Sequence, residues 1–366
     1  MEGPAVPGRH MALKYLKEEI DAYREEGSDD LIYEIYDELT DSLLSGDQFL
    51  AAGTRHGDGS FSYSLLAGVD EDGGSVTKVI GIYTSEAEAA LREKSEHSAD
   101  TDSITLSRVV YHALFSDDID AVVIDPFSSR FEMNREILWG LYYKTPEDSH
   151  AGLFERRMIG KAIRFASEMH DHQVRKGTNE PYITHPLEVL TILNSTSVFD
   201  MSWELMAAGV LHDTVEDTAA DIDTIRSLFG PNVAGLVAFH TEDKSRSWDE
   251  RKSHTIDSLE TADLREKLLI AADLLSNERS MLRDLRLVGD ELWNRFKATK
   301  EKMAWYHAGL IEGLSELTEY PQTEGIYSEL QRNYSELFGE GSLTTGAEEA
   351  EASGVRTGED PEEEIK

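Results

Sequence analysis

The chain has 366 residues, enough for two domains of ordinary size, and carries 72 Asp and Glu against 35 Lys and Arg, a formal charge of −37. So acidic a chain is not expected to bind DNA, RNA or an anionic membrane surface, because phosphates would be repelled. The absence of cysteine excludes disulfides and thiolate metal ligands. No stretch reaches the roughly 18 apolar residues of a membrane helix, and the first residues lack a signal-peptide core. We therefore expect a soluble, cytoplasmic protein.

The first part of the chain predicts a mixed domain. Residues 11–45 have the pattern of two helices. QFLAAGTR, FSYSLLAGVD and KVIGIYTS then have β character and are separated by Gly- and Asp-rich turns. EAEAALREK and SITLSRVVYHALFS predict helices, DAVVIDPFSS a buried strand that Pro126 stops, and REILWGLYYK a closing helix. We expect a helical or flexible segment over 1–29 and an α+β domain over 30–147.

The second part predicts helices almost throughout, with long ones over 255–285 and 290–318. We expect an all-α domain over 148–338. Residues 339–366 are mostly small or acidic and show no apolar periodicity. This composition is typical of a disordered tail. The expected fold is therefore multidomain, an α+β domain followed by an all-α domain.

The stretch GVLHDTVEDT, residues 209–218, begins as a buried helix and then gains one histidine and three carboxylates. Glu216 lies four residues after His212 and three after Asp213, so a helix would carry these side chains on one face. A solvated polar face explains the charges but needs no histidine beside an aspartate at the end of an apolar run. A metal site explains both, and this segment alone leaves the two interpretations open.

Two other stretches supply possible ligands of a hard metal ion. His185 lies in EPYITHPLEV, and Asp273 lies in LLIAADLLSNE, where a lone buried carboxylate would be costly. With His212 and Asp213 they offer two imidazoles and two carboxylates, a set that suits a divalent ion such as manganese. The alternatives are a turn histidine satisfied by the backbone at 185, and an aspartate that caps a helix or pairs with arginine at 273.

Six stretches of the helical part stand in a characteristic order: FASEMHDHQVRKGTNEPYITHP, AAGVLHDTVEDT, FGPNVAGLV, EDKSRSWDERK, IAADLLSNERS and ATKEKMAWYHAGLIEGL. Through them, residues 158 to about 320 resemble the HD-type phosphohydrolases of the RelA/SpoT branch, which includes the small alarmone hydrolases. The first stretch resembles that family's first histidine motif, the second its HD helix with an acidic pair, and the fifth its last metal-aspartate helix.

The resemblance implies roles for nine residues. One Mn²⁺ ion would be bound by four side chains, His185, His212, Asp213 and Asp273. Glu216 and Asp217 match the acidic pair that positions and deprotonates the attacking water. Arg175 and Lys176 match a basic pair near the substrate, and Asn277 matches a substrate-side asparagine. The alternatives are helix-end solvation for the acidic pair, exposed ion pairs for the basic pair, and an ordinary polar helix position for Asn277.

Two features depart from the family pattern. The family usually has a lysine directly after its last metal aspartate, where this chain has Leu274. This departure puts the substrate and the turnover rate in doubt more than metal binding. The long members also carry an alarmone synthetase domain after the HD domain, whereas a short acidic segment follows residue 340 here, so synthesis is not expected.

The first part of the chain has a resemblance of its own. LTDSLLSGDQFL, GVDEDGGSVTKVIGIYTSEAEAAL and IDAVVIDPFSSRFEMN are similar to the N-terminal domain of the SseB family, a small α+β module. We interpret this domain as an interaction or regulatory module that binds a protein partner. The oligomeric state is left open.

Together these resemblances imply a manganese-dependent hydrolase of a small phosphorylated nucleotide. The expected substrate is the guanosine alarmone (p)ppGpp, which would lose its 3′-pyrophosphate. The alternatives are the same site acting on another nucleotide such as NADPH, and a non-catalytic sensor of nucleotide or metal. Glu216 and Asp217 favour the enzyme, whereas Leu274 favours the sensor.

Overall fold

The computed structural model describes residues 9–57, 60–69, 76–93, 100–145, 151–196 and 203–339. The predicted boundary between residues 147 and 148 lies outside the described residues, as does the predicted tail beyond Gly339. The chain divides into two compact units: the first comprises Met1–Lys161 with Ile222–Ala234, and the second Ala162–Asp221 with Gly235–Lys366.

The first unit opens with the two predicted helices, α1 (Arg9–Glu26) and α2 (Asp29–Ser45). Its seven described strands are β1 (Gln48–Arg55), β2 (Phe61–Tyr63), β3 (Leu65–Val69), β4 (Val76–Tyr83), β5 (Asp100–Thr105), β6 (Ala121–Ile124) and β7 (Phe131–Asn134). Helices α3 (Glu86–Glu93), α4 (Leu106–Phe115) and α5 (Arg135–Tyr142) connect or follow them.

The strands form one mixed sheet. β1 pairs antiparallel with β2, β4 and β5, β4 pairs with β3, and β7 lies antiparallel to β6. β4 and β6 run parallel, with Ile80 opposite Val122. Both of those side chains are fully buried, so the centre of the sheet is the core of this unit.

Two predictions for this unit are wrong in detail. SITLSRVVYHALFS is a strand followed by a helix, because Ile104 pairs with Phe49 on β1 before α4 begins at Leu106. Strand β7 was not predicted, because it is only four residues long and its residues alternate between buried and exposed.

A short segment from later in the chain belongs to the first unit. Helix α10 (Ile222–Phe229) has Ile225 and Phe229 fully buried. The carbonyl of Ser227 accepts hydrogen bonds from Trp139 Nε1 at 3.1 Å and from Arg135 Nε at 2.6 Å. The amphipathic pattern of α10 therefore serves the packing of the sheet-containing unit.

The second unit is helical. Helices α6 (Ala151–Met169) and α11 (Pro231–His240) begin in the first unit and end in this one. The remaining helices are α7 (Thr184–Ser195), α8 (Trp203–Leu211), α9 (Thr214–Asp217), α12 (Trp248–Ser258), α13 (Leu264–Val288), α14 (Lys300–Gly313) and α15 (Glu324–Phe338). Two 3₁₀ helices, Gly289–Arg295 and Ser315–Glu319, flank α14.

The two long helices predicted here are interrupted by capping residues. The predicted helix 255–285 is split because Asp263 starts α13, its side chain accepting from Glu266 N at 2.9 Å while Glu266 Oε2 accepts from Asp263 N at 2.7 Å. The predicted helix 290–318 consists of α14, capped by Thr299, between the 3₁₀ helices.

The predicted order of a sheet-containing region followed by a helical region is confirmed. Among the described residues, no helix is both long enough and apolar enough to cross a membrane.

Candidate metal centre

His185 stands in the first turn of α7 with its side chain buried. Its Nδ1 lies 2.9 Å from Ser276 Oγ, and that hydroxyl donates to Glu188 Oε2 at 3.1 Å. The Ser276 oxygen therefore accepts from His185 Nδ1–H, which leaves the lone pair of His185 on Nε2. That nitrogen lies 3.0 Å from Asp273 Oδ1 and 3.7 Å from Asp213 Oδ2.

His212 is fixed in the same tautomer by the backbone. Its Nδ1 lies 2.8 Å from the carbonyl oxygen of Gly209, which can only accept, so the lone pair of the neutral ring is again on Nε2. Nε2 lies 2.9 Å from Asp213 Oδ2 and 3.7 Å from Asp273 Oδ1. Both predicted histidines thus present a metal-binding nitrogen to the same two carboxylates.

The expectation of one continuous helix through this motif is wrong. α8 ends at Leu211, His212 and Asp213 form a turn, and α9 begins at Thr214. The Thr214 hydroxyl donates to the Leu211 carbonyl at 2.7 Å, which satisfies a carbonyl at the end of α8. The break lets two adjacent residues, rather than residues one helical turn apart, reach the same point.

Asp213 is held by a second side chain that the sequence did not reveal. Tyr182 donates its hydroxyl to Asp213 Oδ2 at 2.5 Å. Burial raises the pKa of the Tyr182 hydroxyl well above its ordinary value, so it remains a donor. Burial alone would raise the pKa of Asp213, but the neighbouring His212 outweighs burial and lowers it.

Asp273 occupies the apolar helix α13, flanked by fully buried Ala272. Its Oδ1 accepts from Asn277 Nδ2 at 2.7 Å, one helical turn along. Despite burial, the pKa of Asp273 lies well below its ordinary value, because His185 and His240 interact with the carboxylate. The two carboxylates are therefore ionised beside positive charge, which the neighbouring histidines supply when protonated and a metal ion would supply when bound.

His240, the last residue of α11, is the ligand-type residue that sequence reasoning missed. Its Nε2 lies 3.4 Å from Asp273 Oδ2, and its ring centroid is 4.9 Å from that of His212. The apolar run VAGLVAFH gives no periodic signal that separates this residue from an ordinary helix terminus.

The donor set fits one divalent ion. Adjacent ligands about 2.1 Å from an octahedral ion are about 3.0 Å apart, and opposite ligands about 4.2 Å. The separations between the histidine nitrogens and carboxylate oxygens, from 2.9 to 3.7 Å, lie in that range. Two groups able to hold a metal ion follow, His185 with His212 and Asp213, and His212 with His240 and Asp273.

A cavity of about 180 Å³ opens beside these residues. Its lining residues are Asp213, Glu216, His240, Glu242, Lys252, Thr255, Ile270, Asp273, Leu274, Asn277, Tyr306, His307 and Leu310. The apolar side chain of Leu274, nearly fully buried, therefore forms part of the wall where the family's lysine is expected. His307 is a second lining histidine that the sequence did not reveal, and its Nδ1 lies 3.0 Å from Glu278 Oε1.

The acidic pair is divided between the cavity and the surface. Glu216 lines the cavity, accepts from Glu242 N at 3.3 Å, and has its pKa raised by burial. Asp217 is exposed and pairs with Lys244 Nζ at 2.7 Å. The same ammonium group donates to the Glu216 carbonyl at 2.7 Å, so Lys244 ties the end of α9 to the loop after α11.

The predicted substrate-binding residues differ in how close they lie to the metal centre. Arg175 Nη2 donates to Asn277 Oδ1 at 3.2 Å, which links Arg175 through Asn277 to Asp273. Lys176 is exposed and is not among the lining residues of the cavity. Arg279, a nearby basic residue of α13 that was not among the predicted residues, is not among the lining residues of the cavity and donates two hydrogen bonds to Glu329 at 2.7 and 2.8 Å.

Comparison with known proteins identifies relatives of this part of the chain. A family model described as "HD domain" matches residues 162–289. The Drosophila melanogaster protein named guanosine-3′,5′-bis(diphosphate) 3′-pyrophosphohydrolase MESH1 is 39% identical over 136 residues, 37% of this chain and 73% of that protein. The Homo sapiens protein of the same name is 32% identical over 192 residues, 52% of this chain and 98% of that protein.

A solved structure is also similar to this chain. It is described as "A metazoan ortholog of SpoT hydrolyzes ppGpp and plays a role in starvation responses". It covers 51% of this chain and 97% of its own, with 27% identity and a TM-score of 0.41.

The geometry makes a prediction about metal content. Asp213→Asn and His185→Ala each remove a group that faces the other donors, so each should lower bound Mn²⁺ by about 10-fold or more. Elemental analysis after dialysis against a fixed free Mn²⁺ concentration measures this. His254→Ala, at an exposed histidine of α12, is the matched control and should keep full occupancy. Full occupancy in either ligand variant would remove that residue from the metal centre.

Proposed function

This chain belongs to the HD-domain family of the MESH1 pyrophosphohydrolases, and on that premise we propose that it hydrolyses guanosine-3′,5′-bis(diphosphate) to GDP and pyrophosphate. The proposal includes one Mn²⁺ ion, held by His185, His212, Asp213 and Asp273, and a cytoplasmic location. Oxygen and imidazole ligands without thiolate suit manganese.

The observation that carries the proposal is the meeting of two histidine lone pairs with two ionised carboxylates beside a cavity that also contains Glu216. Lone pairs facing carboxylates repel unless a proton or a metal ion lies between them. A proton on His212 can meet part of this need. Burial lowers the pKa of His212, but Asp213 outweighs burial and raises it to about 9. One divalent ion satisfies all four groups together.

Charge around the cavity also supports a metal-dependent phosphohydrolase. Four carboxylates line the cavity, and among them Glu242 is paired with Lys252 at 2.7 Å and Arg251 at 2.9 Å. Asp213 and Asp273 face histidines instead. A phosphate group would be repelled from this surface without a divalent cation, so substrate binding and metal binding are coupled.

Glu216 is the proposed general base. When bound, the ion polarises the phosphate and lowers the pKa of an attacking water. Glu216 takes a proton from the water whose oxygen bonds to the phosphorus attached to the 3′-oxygen. The bond from phosphorus to the 3′-oxygen breaks, pyrophosphate leaves, and the 3′-oxygen takes a proton to become the hydroxyl of GDP. The raised pKa of Glu216 makes its carboxylate a better proton acceptor than an ordinary surface glutamate.

The other proposed residues bind or position. Arg175 has guanidinium donors beyond the one that bonds Asn277, and these suit a phosphate group of the substrate. Lys176, exposed beside it, would extend that positive charge toward solvent. Asp217 acts through Lys244, which holds the backbone of Glu216.

The first unit is proposed to be an SseB-like module that binds a protein partner. Its mixed sheet with flanking helices is compatible with the small α+β module that the sequence resembles. A pull-down with the full-length Tyr33→Glu variant, which changes an exposed tyrosine of α2, compared with the wild type tests whether partner binding depends on this unit.

Glu216→Gln should separate chemistry from metal binding. The amide keeps the shape of the side chain but cannot accept a proton, so the variant should keep its Mn²⁺ and lose about 10²-fold or more in kcat for ppGpp. Release of pyrophosphate and GDP is followed by chromatography. Glu168→Gln, at an exposed glutamate of α6, is the control and should match the wild type. Wild-type turnover retained in Glu216→Gln would contradict the assignment of the base.

Leu274→Lys tests the departure from the family pattern. A lysine on the cavity wall next to Asp273 would add a charged donor for phosphate and should lower KM for ppGpp by about 10-fold. Leu274→Met keeps a long apolar side chain without charge and should leave KM unchanged.

The substrate panel separates the remaining alternatives. If wild type and Leu274→Lys both leave ppGpp intact but hydrolyse NADPH, the assignment of the active site stands and the assignment of ppGpp as the substrate is wrong. Binding of nucleotide without any turnover by either protein would favour the sensor.

A further inference from the structure

The metal centre contains a third imidazole beyond the two that the sequence motifs supply. His240 reaches the site from the end of α11, a helix that carries none of the other proposed ligands. Its side chain is 13% exposed, and its Nε2 lies 3.4 Å from Asp273 Oδ2. His185 approaches the other oxygen of that carboxylate, at 3.0 Å from Oδ1. The two histidines therefore approach different oxygens of the same carboxylate.

The two groups of residues able to hold a metal ion would hold the same ion. They share His212, whose Nδ1 is committed to the Gly209 carbonyl. A neutral imidazole then has a single lone pair, on Nε2, and a single lone pair bonds one ion. An ion held by the first group and an ion held by the second must consequently be the same.

We propose that His240 is a fifth protein ligand of this ion, completing a set of three imidazoles and two carboxylates. All ligand atoms of the group His212, His240 and Asp273 lie within 4.8 Å of one another, and the 3.4 Å separation from Asp273 Oδ2 is near that of adjacent ligands. An octahedral ion would keep one position for water or a substrate oxygen. The inference rests on the proposed metal site but not on the identity of the nucleotide.

A third nitrogen donor has consequences for metal choice. Imidazole suits manganese and the later transition ions better than magnesium, which prefers oxygen ligands and keeps several waters. We expect the wild type to discriminate against Mg²⁺ more strongly than His240→Ala does. The competing interpretation is a positioning role, in which His240 only hydrogen-bonds Asp273 and never contacts the ion.

Cobalt substitution of the full-length protein tests the proposal directly. In proton NMR of the Co²⁺ form, each coordinated imidazole gives one strongly shifted exchangeable N–H signal. His240 Nδ1 is buried and has no hydrogen-bond partner among the described residues, so its proton is shielded from solvent and should be observed. We expect three such signals in the wild type and in His254→Ala, and two in His240→Ala. Two signals in the wild type would overturn the proposal.

His240→Gln separates a ligand from a positioning residue. Glutamine can donate a hydrogen bond to Asp273, but its carbonyl oxygen is a weaker ligand than imidazole for a later transition ion such as Co²⁺. We expect its Co²⁺ affinity, measured by calorimetry, to fall about 10-fold or more, as for His240→Ala. Wild-type affinity in His240→Gln would show a positioning role and overturn the proposal. Failure of the wild type to bind Co²⁺ or Mn²⁺ would instead remove the metal site on which the proposed function rests.

Discussion

The metal centre of the second unit depends on two ionised carboxylates, Asp213 and Asp273, that lie mostly buried against imidazole rings. A buried carboxylate is tolerated only with a compensating charge or hydrogen bonds, and here the hydrogen bonds come from Tyr182 and Asn277. The tautomers of His185 and His212 are fixed by Ser276 and Gly209, so both rings turn Nε2 toward the carboxylates. This arrangement requires a cation, and the proposed chemistry follows from that requirement.

The helices of the second unit position these groups by close packing. Gly209 allows α8 to approach α7, since a Cβ there would lie 2.6 Å from Leu193 Cδ1. That approach fixes the turn that holds His212 and Asp213. Helix α13, started by the Asp263 capping box and buried around Ala271 and Ala272, brings Asp273 to the same point. The proposed ligands His185 and Asp273, far apart along the chain, are thereby brought together, with His185 Nε2 3.0 Å from Asp273 Oδ1.

The sequence predicted those candidate site residues that differ in chemistry from their neighbours along the chain. A histidine beside an aspartate after GVL, and a carboxylate within LLIAADLL, are unusual enough to be recognised, and the fold order followed from apolar periodicity. It did not predict the break after Leu211, where the Thr214 hydroxyl donates to the Leu211 carbonyl. It also missed His240 and Tyr182, because their approach to the aspartates depends on helix packing rather than on spacing. Strand β5 was not predicted, because its sequence DTDSIT is mostly polar and its one apolar residue, Ile104, lies just before α4.

Metal titration of ppGpp hydrolysis in ¹⁸O-labelled water tests whether one bound ion is required for attack of water on phosphorus. The protein, stripped of metal and then supplied with Mn²⁺ in steps, should gain activity in proportion to bound ion up to one equivalent. Mass spectrometry should find one ¹⁸O in pyrophosphate and none in GDP, because water attacks phosphorus. Activity of the stripped protein equal to that of the loaded protein, or label in the GDP hydroxyl, would contradict the account.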